Sequence, residues 1–222
     1  MSFVLAATLV VTGLTLTAPS VQARADYSSF FEGQPRLSGA GWAACVVPVT
    51  WSVDVRGLDP PVARREIRRL KRAWAIWSQA SAIPVQFTGR DRLEFDPGTN
   101  GLRRTDWSPH PPRHVYLAFK TARQVPIMTR GVIGLAMPSI VLLPTREIVG
   151  GMSIFRRGYV VKERIANPKR VIHLYLHEIG HILGLGHARR DINVMYPSLD
   201  TMVSLGPGDR AGIAAITQEC TW

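Results

Sequence analysis

Between His177 and His187 the chain reads His-Glu-Ile-Gly-His-Ile-Leu-Gly-Leu-Gly-His, and this run constrains the fold more than any other. It holds three of the chain's 6 histidines. His177 and His181 are four residues apart, so on a helix they share one face, with Cβ atoms about 5–6 Å apart. His187 is six residues further on, and a continued helix would turn it away by roughly 240°. The third histidine can join the other two only if the helix stops and the chain folds back. Gly184 stands where a left-handed residue would allow that. Upstream, Asn167 at the N-cap and Pro168 at the first helical position mark where the helix begins.

Two readings are open for such a run. One is an ordinary amphipathic helix that happens to carry histidines. The other is a metal site, because imidazole nitrogens on one face can converge on a single Zn²⁺. Three neutral imidazoles from His177, His181 and His187 would leave one coordination position open, which is the pattern of a catalytic zinc. Glu178, adjacent to a ligand, could then reach a water in that position, whose pKa the metal lowers towards about 7. As general base it would take the water's proton and later deliver it to a leaving amine.

The run "HEIGHILGLGH", followed by "VMYP" (Val194 to Pro197) with Met195 eight residues after His187, resembles the metzincin zinc endopeptidases, and among them the matrixins, the matrix-metalloproteinase-like group. "AWAIWSQASAIPVQFTG" and "GDRAGIAAI" are similar to that family's first helix and second strand and to its last helix. The resemblance implies that His177, His181 and His187 are the ligands of one catalytic Zn²⁺ and that Glu178 is the base. Met195 would form an apolar floor under the metal. "GLAMPS" (Gly134 to Ser139), with Leu135 and Ala136, would be an edge strand that takes a peptide by strand addition. Pro197 to Leu199 would wall the pocket for the residue after the scissile bond. His173 matches a position lining that pocket; by spacing alone it could also be a further ligand or plain packing. Departures are visible too. Nothing before Cys45 resembles the Pro-Arg-Cys-Gly segment that blocks the zinc in animal matrixins. The edge strand lacks the histidines of the family's second zinc, and His110 and His114 are too isolated to replace that site. Calcium is possible, but no ligands for it can be placed.

The first 23 residues carry no charge, Phe3 to Leu16 are largely apolar, and small residues at Ala23 and Ala25 offer cleavage points. This reads as a secretory signal peptide, with retention as a membrane anchor the alternative. The division expected is 1–25 signal peptide, 26–40 short linker or vestigial pro-segment, and 41–222 zinc metallopeptidase catalytic domain. Export suits the 2 cysteines, Cys45 and Cys220, near the two ends of the mature domain. A disulfide between them is expected, against two buried thiols.

None of the charge behind the net +11 lies in the first 23 residues. Its densest run, "ARREIRRLKRAWAIW", has apolar residues at Ile67, Leu70, Trp74 and Trp77, a helical spacing that puts the arginines on the outer face. That face is either simply solvated or drawn to an anionic surface such as cell wall or membrane. Nucleic acid is not expected, since no recognition motif accompanies the charge, and a monomer is the default.

Strands are expected at Cys45–Val55, "IPVQFTG", His114–Phe119, "GVIGLAMPS" and "EIVGGMSIF". Residues 90–112 read as irregular loop, and a last helix opens near Pro207-Gly208-Asp209. This order gives one α+β domain with a sheet packed on two long helices plus a C-terminal helix. The resemblance makes that sheet twisted, five-stranded and mostly parallel with an antiparallel edge strand. The function expected is a secreted zinc endopeptidase. The alternatives are a zinc hydrolase acting on cell-wall peptide amides and a non-catalytic peptide-binding module.

Overall fold

The computed structural model describes residues 26–129, 131–198 and 200–220; the expected signal peptide and Leu199 lie outside them. Five strands make the main sheet: β1 (Val49–Asp54), β2 (Val85–Arg90), β5 (His114–Lys120), β6 (Gly134–Leu142) and β7 (Glu147–Arg156). Their order is β2-β1-β5-β7-β6. All neighbours run parallel except β6, which returns antiparallel to β7 and leaves its outer edge free. The α+β class and the antiparallel edge strand are as the sequence led us to expect.

Alternation along the strands separates two cores. Val49, Trp51 and Val53 of β1 and Val115, Leu117 and Phe119 of β5 face the helices, where the main core lies. Tyr116 and Ala118 face the other way, joining Met152, Ile154, Leu93 and Leu102. That second core is covered by a hairpin of β3 (Leu93–Asp96) and β4 (Gly101–Arg104), inside a region expected to be irregular loop. Four-residue strands that carry Glu, Asp and two Arg lack the length and apolar content by which a strand shows itself.

Helix α1 (Pro60–Ser81) crosses the helical face, and α3 (Pro168–Ile182) packs on it. Tyr175 Oη donates to Glu66 Oε2 at 2.9 Å, Arg69 donates to the other oxygen of Glu66, and Trp77 Nε1 donates to Leu176 O at 2.9 Å. These buried polar links fix how α3 is turned about its axis. An additional helix, α2 (Arg157–Ala166), leads into α3. The break at Asn167 follows from Pro168, which disfavours helical geometry at the residue before it. Helix α4 (Pro207–Ile216) closes the domain. The Cys45–Cys220 disulfide joins the stretch before β1 to the stretch after α4. Among the described residues no helix is long and apolar enough to cross a membrane.

Candidate metal centre and cleft

Helix α3 ends as its sequence requires. Gly184 adopts φ of 103°, its N–H donates to His181 O, and Leu185 N donates to Gly180 O. These are the two bonds of a Schellman stop, and they turn the chain back towards its own helix. His187 is thereby brought to the face that holds His177 and His181. One nitrogen from each of the three rings lies within 4.8 Å of the others. His177 is buried, His181 half-buried and His187 exposed, so the cluster opens to solvent on the His187 side.

Hydrogen bonds decide which nitrogens are available. His177 Nδ1 lies 2.8 Å from Val194 O, and His181 Nδ1 lies 2.8 Å from Leu185 O. A carbonyl only accepts, so each Nδ1 carries the proton and each Nε2 keeps its lone pair. The two Nε2 atoms are 3.1 Å apart, a contact in which neither has a proton to give. Burial, the like charge of neighbouring histidines adding to it, pushes His177 down to about 3, and burial pushes His181 down to about 4. Burial lowers His187 as well. Three neutral rings with converging lone pairs are the donor set that Zn²⁺ takes, with carbonyl-bound Nδ1–H groups behind two of them. The residues present fit the metal.

Glu178 sits on the same turn and lines the same cleft. Burial alone raises its carboxyl to about 8. The carboxylate lies against Gly134 of β6, where any β-carbon would collide with Oε1 and Cδ. Glycine at 134 is what lets the strand edge approach the acid. The cleft, about 620 Å³, runs between β6 and α3 and is lined by Gly134, Leu135, Ala136, Leu174, Pro197 and Phe30 together with Glu178 and the three histidines.

Met195 is fully buried, its sulfur packed against Gly180 between the two helical histidines. Pro197 lines the cleft. His173 does not line the cleft. Its Nε2–H donates to Val194 O at 3.1 Å and its Nδ1 accepts from Asp200 N at 3.3 Å, so both nitrogens tie α3 to the turn around Met195. Val194 O thus receives His173 and His177 together.

Sequence reasoning passed over two residues that hold this turn. Asp209, buried near the start of α4, accepts from Val194 N (2.7 Å), Met195 N (3.0 Å) and Gly206 N (2.7 Å). Burial raises its carboxyl even so. Asn193 accepts from Gly208 N at 2.7 Å and donates to Asp26. The signal for Asp209 was present, since an acid three residues into a helix can reach back to the N-cap N–H.

A five-stranded, mostly parallel sheet with an antiparallel edge strand over the cleft, a helix carrying two convergent histidines, a third delivered by a glycine turn, and a buried methionine packed on that helix together make a metzincin-like site. Residues 149–217 match the family model described as Matrixin. That span runs from β7 through all three histidines and the Met195 turn to the end of α4, and over it the chain is similar to the matrixins. No curated protein matches the chain.

Proposed function

We propose that the protein is an endopeptidase that cuts extended peptide segments laid along the free edge of β6, with Zn²⁺ held by His177, His181 and His187 and Glu178 as general base. The observation that carries this reading is the convergence of three imidazole lone pairs beside a buried carboxyl at an open sheet edge. Bound zinc supplies Lewis acidity at the scissile carbonyl and makes a water acidic enough to react near neutral pH. The chain's own residues do the rest. The charge of bound zinc would favour the ionised form of Glu178 that burial alone disfavours. The carboxylate would then take the proton of the attacking water and return it to the leaving amine nitrogen. Outward N–H and C=O groups at Gly134 and Ala136 align the peptide, and Pro197 walls the side chain after the scissile bond. The fixed Nδ1–H bonds of His177 and His181 keep the rings from turning during the reaction.

Secretion is part of the proposal. The first 23 residues, apolar and without charge, support it, and so does the Cys45–Cys220 disulfide, which suits an oxidising compartment. A cell-wall peptide amide as substrate is favoured by one observation. Arg64, Arg65, Arg68, Lys71 and Arg72 are exposed on α1, while its one acid, Glu66, is buried and paired inward. Such a face is drawn to an anionic surface.

The experiment is digestion of a mixed peptide library by the zinc-loaded protein beside Glu178→Gln, read by mass spectrometry. Internal cleavage lost in the variant supports the proposal. Intact peptides together with release of amine from cell-wall preparations would replace it with the amide reading.

A further inference from the structure

The cleft has two unlike ends, and their placement follows from the packing of β6 on α3. Gly134 lies against Glu178, whereas Gly151, the register partner of Pro138, lies against Ile182. Strand β6 and this part of α3 therefore run in the same direction. Leu174 and Pro197 line one end of the cleft, and Ala136 lies towards the other, which His181 also lines.

At that second end stands Phe30. Its ring meets His181 edge-on, with centroids 5.9 Å apart, and lines the cleft. It is held there by the chain that carries it. Phe30 N donates to Gly184 O at 2.8 Å, Gly186 N donates to Ser28 O at 2.8 Å, and Ser28 Oγ donates to His187 O at 2.9 Å. Asp26 accepts from Arg190 Nε at 2.7 Å and Asn193 Nδ2 at 2.6 Å, and Phe31 is buried in the main core. A β-carbon at Gly186 would collide with Ser28 and Ser29, so the turn that delivers His187 is shaped to receive this segment.

The part of the strand that lines the cleft stops at Ala136, although β6 itself runs on to Leu142. Arg156 N donates to Ile133 O at 2.8 Å, and Gly134 is opposite Phe155, so Ile133, Leu135 and Met137 direct their backbone groups to β7. Gly134, Ala136 and Pro138 then face the free edge, by the alternation of antiparallel pairing. Proline has no N–H to offer an added strand, which is why it is tolerated at this position. Pro138 is also buried, and Ala136 is the last β6 residue in the cleft wall.

We propose that Phe30 is a specificity-determining wall that, with Pro138, closes this end of the cleft, so that only about three residues of an extended peptide are read there along Gly134–Ala136. An apolar side chain packed on the Phe30 ring is favoured. This rests on the endopeptidase reading, and on Pro197 marking the side after the scissile bond, so that Phe30 meets residues before it.

The test uses peptides sharing one cleavage site and extended towards the N-terminus from two to six residues, with leucine, alanine or aspartate in the Phe30-facing position. For the zinc-loaded wild type, kcat/KM should rise to the third residue and then stay level within twofold. Phe30→Ala should shrink the leucine-over-aspartate preference about tenfold, the low end of what an apolar pocket contact discriminates, with the change in KM. Phe30→Leu, which keeps the segment packed, should retain most of the preference. A continued gain of tenfold or more beyond the third residue would overturn the proposal. So would an unchanged preference in Phe30→Ala with zinc content and circular dichroism intact. The same peptides are titrated into zinc-loaded Glu178→Gln. Binding with the expected length and side-chain dependence, without cleavage by the wild type, would sink the endopeptidase reading and leave the wall standing. Neither cleavage nor binding would overturn both.

Discussion

Two groups of histidines sit on opposite faces of the same sheet, and only one is built to hold a metal. On the helical face, His177 and His181 each spend one nitrogen on a backbone carbonyl and aim the other at a common point with His187. On the opposite face, His110, His114 and Tyr116 pack edge-on, with the two histidine centroids 6.1 Å apart. There His114 has both nitrogens engaged, Nδ1 with Thr50 Oγ1 at 2.7 Å and Nε2 with Ser52 Oγ at 3.0 Å. His110 donates from Nδ1 to Pro111 O, leaving one free nitrogen with no second lone pair to meet it. Crowding of histidines is common to both groups. Carbonyls, which only accept, fix the tautomer of the first pair and free Nε2; hydroxyls, which both give and accept, saturate His114.

The largest effect expected from this contrast is on catalysis. Glu178→Gln should lower peptide hydrolysis by about a thousandfold, within the range for loss of a positioned acid–base group, while zinc content stays at one per chain. Next comes metal affinity. His177→Ala or His181→Ala should abolish stoichiometric zinc binding in a competitive chelator titration, whereas His110→Ala and His114→Ala should leave it unchanged. If the second pair mattered as much as the first, the distinction between carbonyl and hydroxyl partners would fail.

Asp209 gives a smaller effect through the turn behind the ligands. Asp209→Ala leaves three buried N–H groups unpartnered. A loss of about 1–3 kcal/mol in denaturant unfolding is expected, with weakened zinc binding because Val194 O shifts under His177. The smallest effect belongs to the other face. Burial holds His114 neutral down to about 4, against about 6.5 in the unfolded chain. The unfolded state takes up this proton first, so the contribution is complete above about pH 6.5 and is lost as pH falls towards 4. His114→Gln should flatten the stability-against-pH curve in that window, measured with the metal-free protein.

The same contrast shows what the sequence could reveal. The spacing of His177, His181 and Gly184 determines a helix, its stop and the return of His187, because each step is a local consequence of helix geometry. The five sheet strands were legible for the same reason. The hairpin β3–β4 was not, being short and charged, and α2 was hidden between a strand and Pro168. Asp209, Asn193 and Phe30 act across sequence separations that no local period records. His173 shared the spacing of a ligand, yet its role follows from Val194 and Asp200, which only the fold brings to it. His110 and His114 looked isolated in sequence; the fold brings their rings together without making them a site.

The most direct test is anomalous diffraction at the zinc edge from crystals of the zinc-loaded protein. The account predicts one peak, bounded by the Nε2 atoms of His177 and His181 and by His187, with Glu178 beside it and nothing between His110 and His114. A peak at His110 and His114, or density at the triad lacking one of its three histidines, would contradict it.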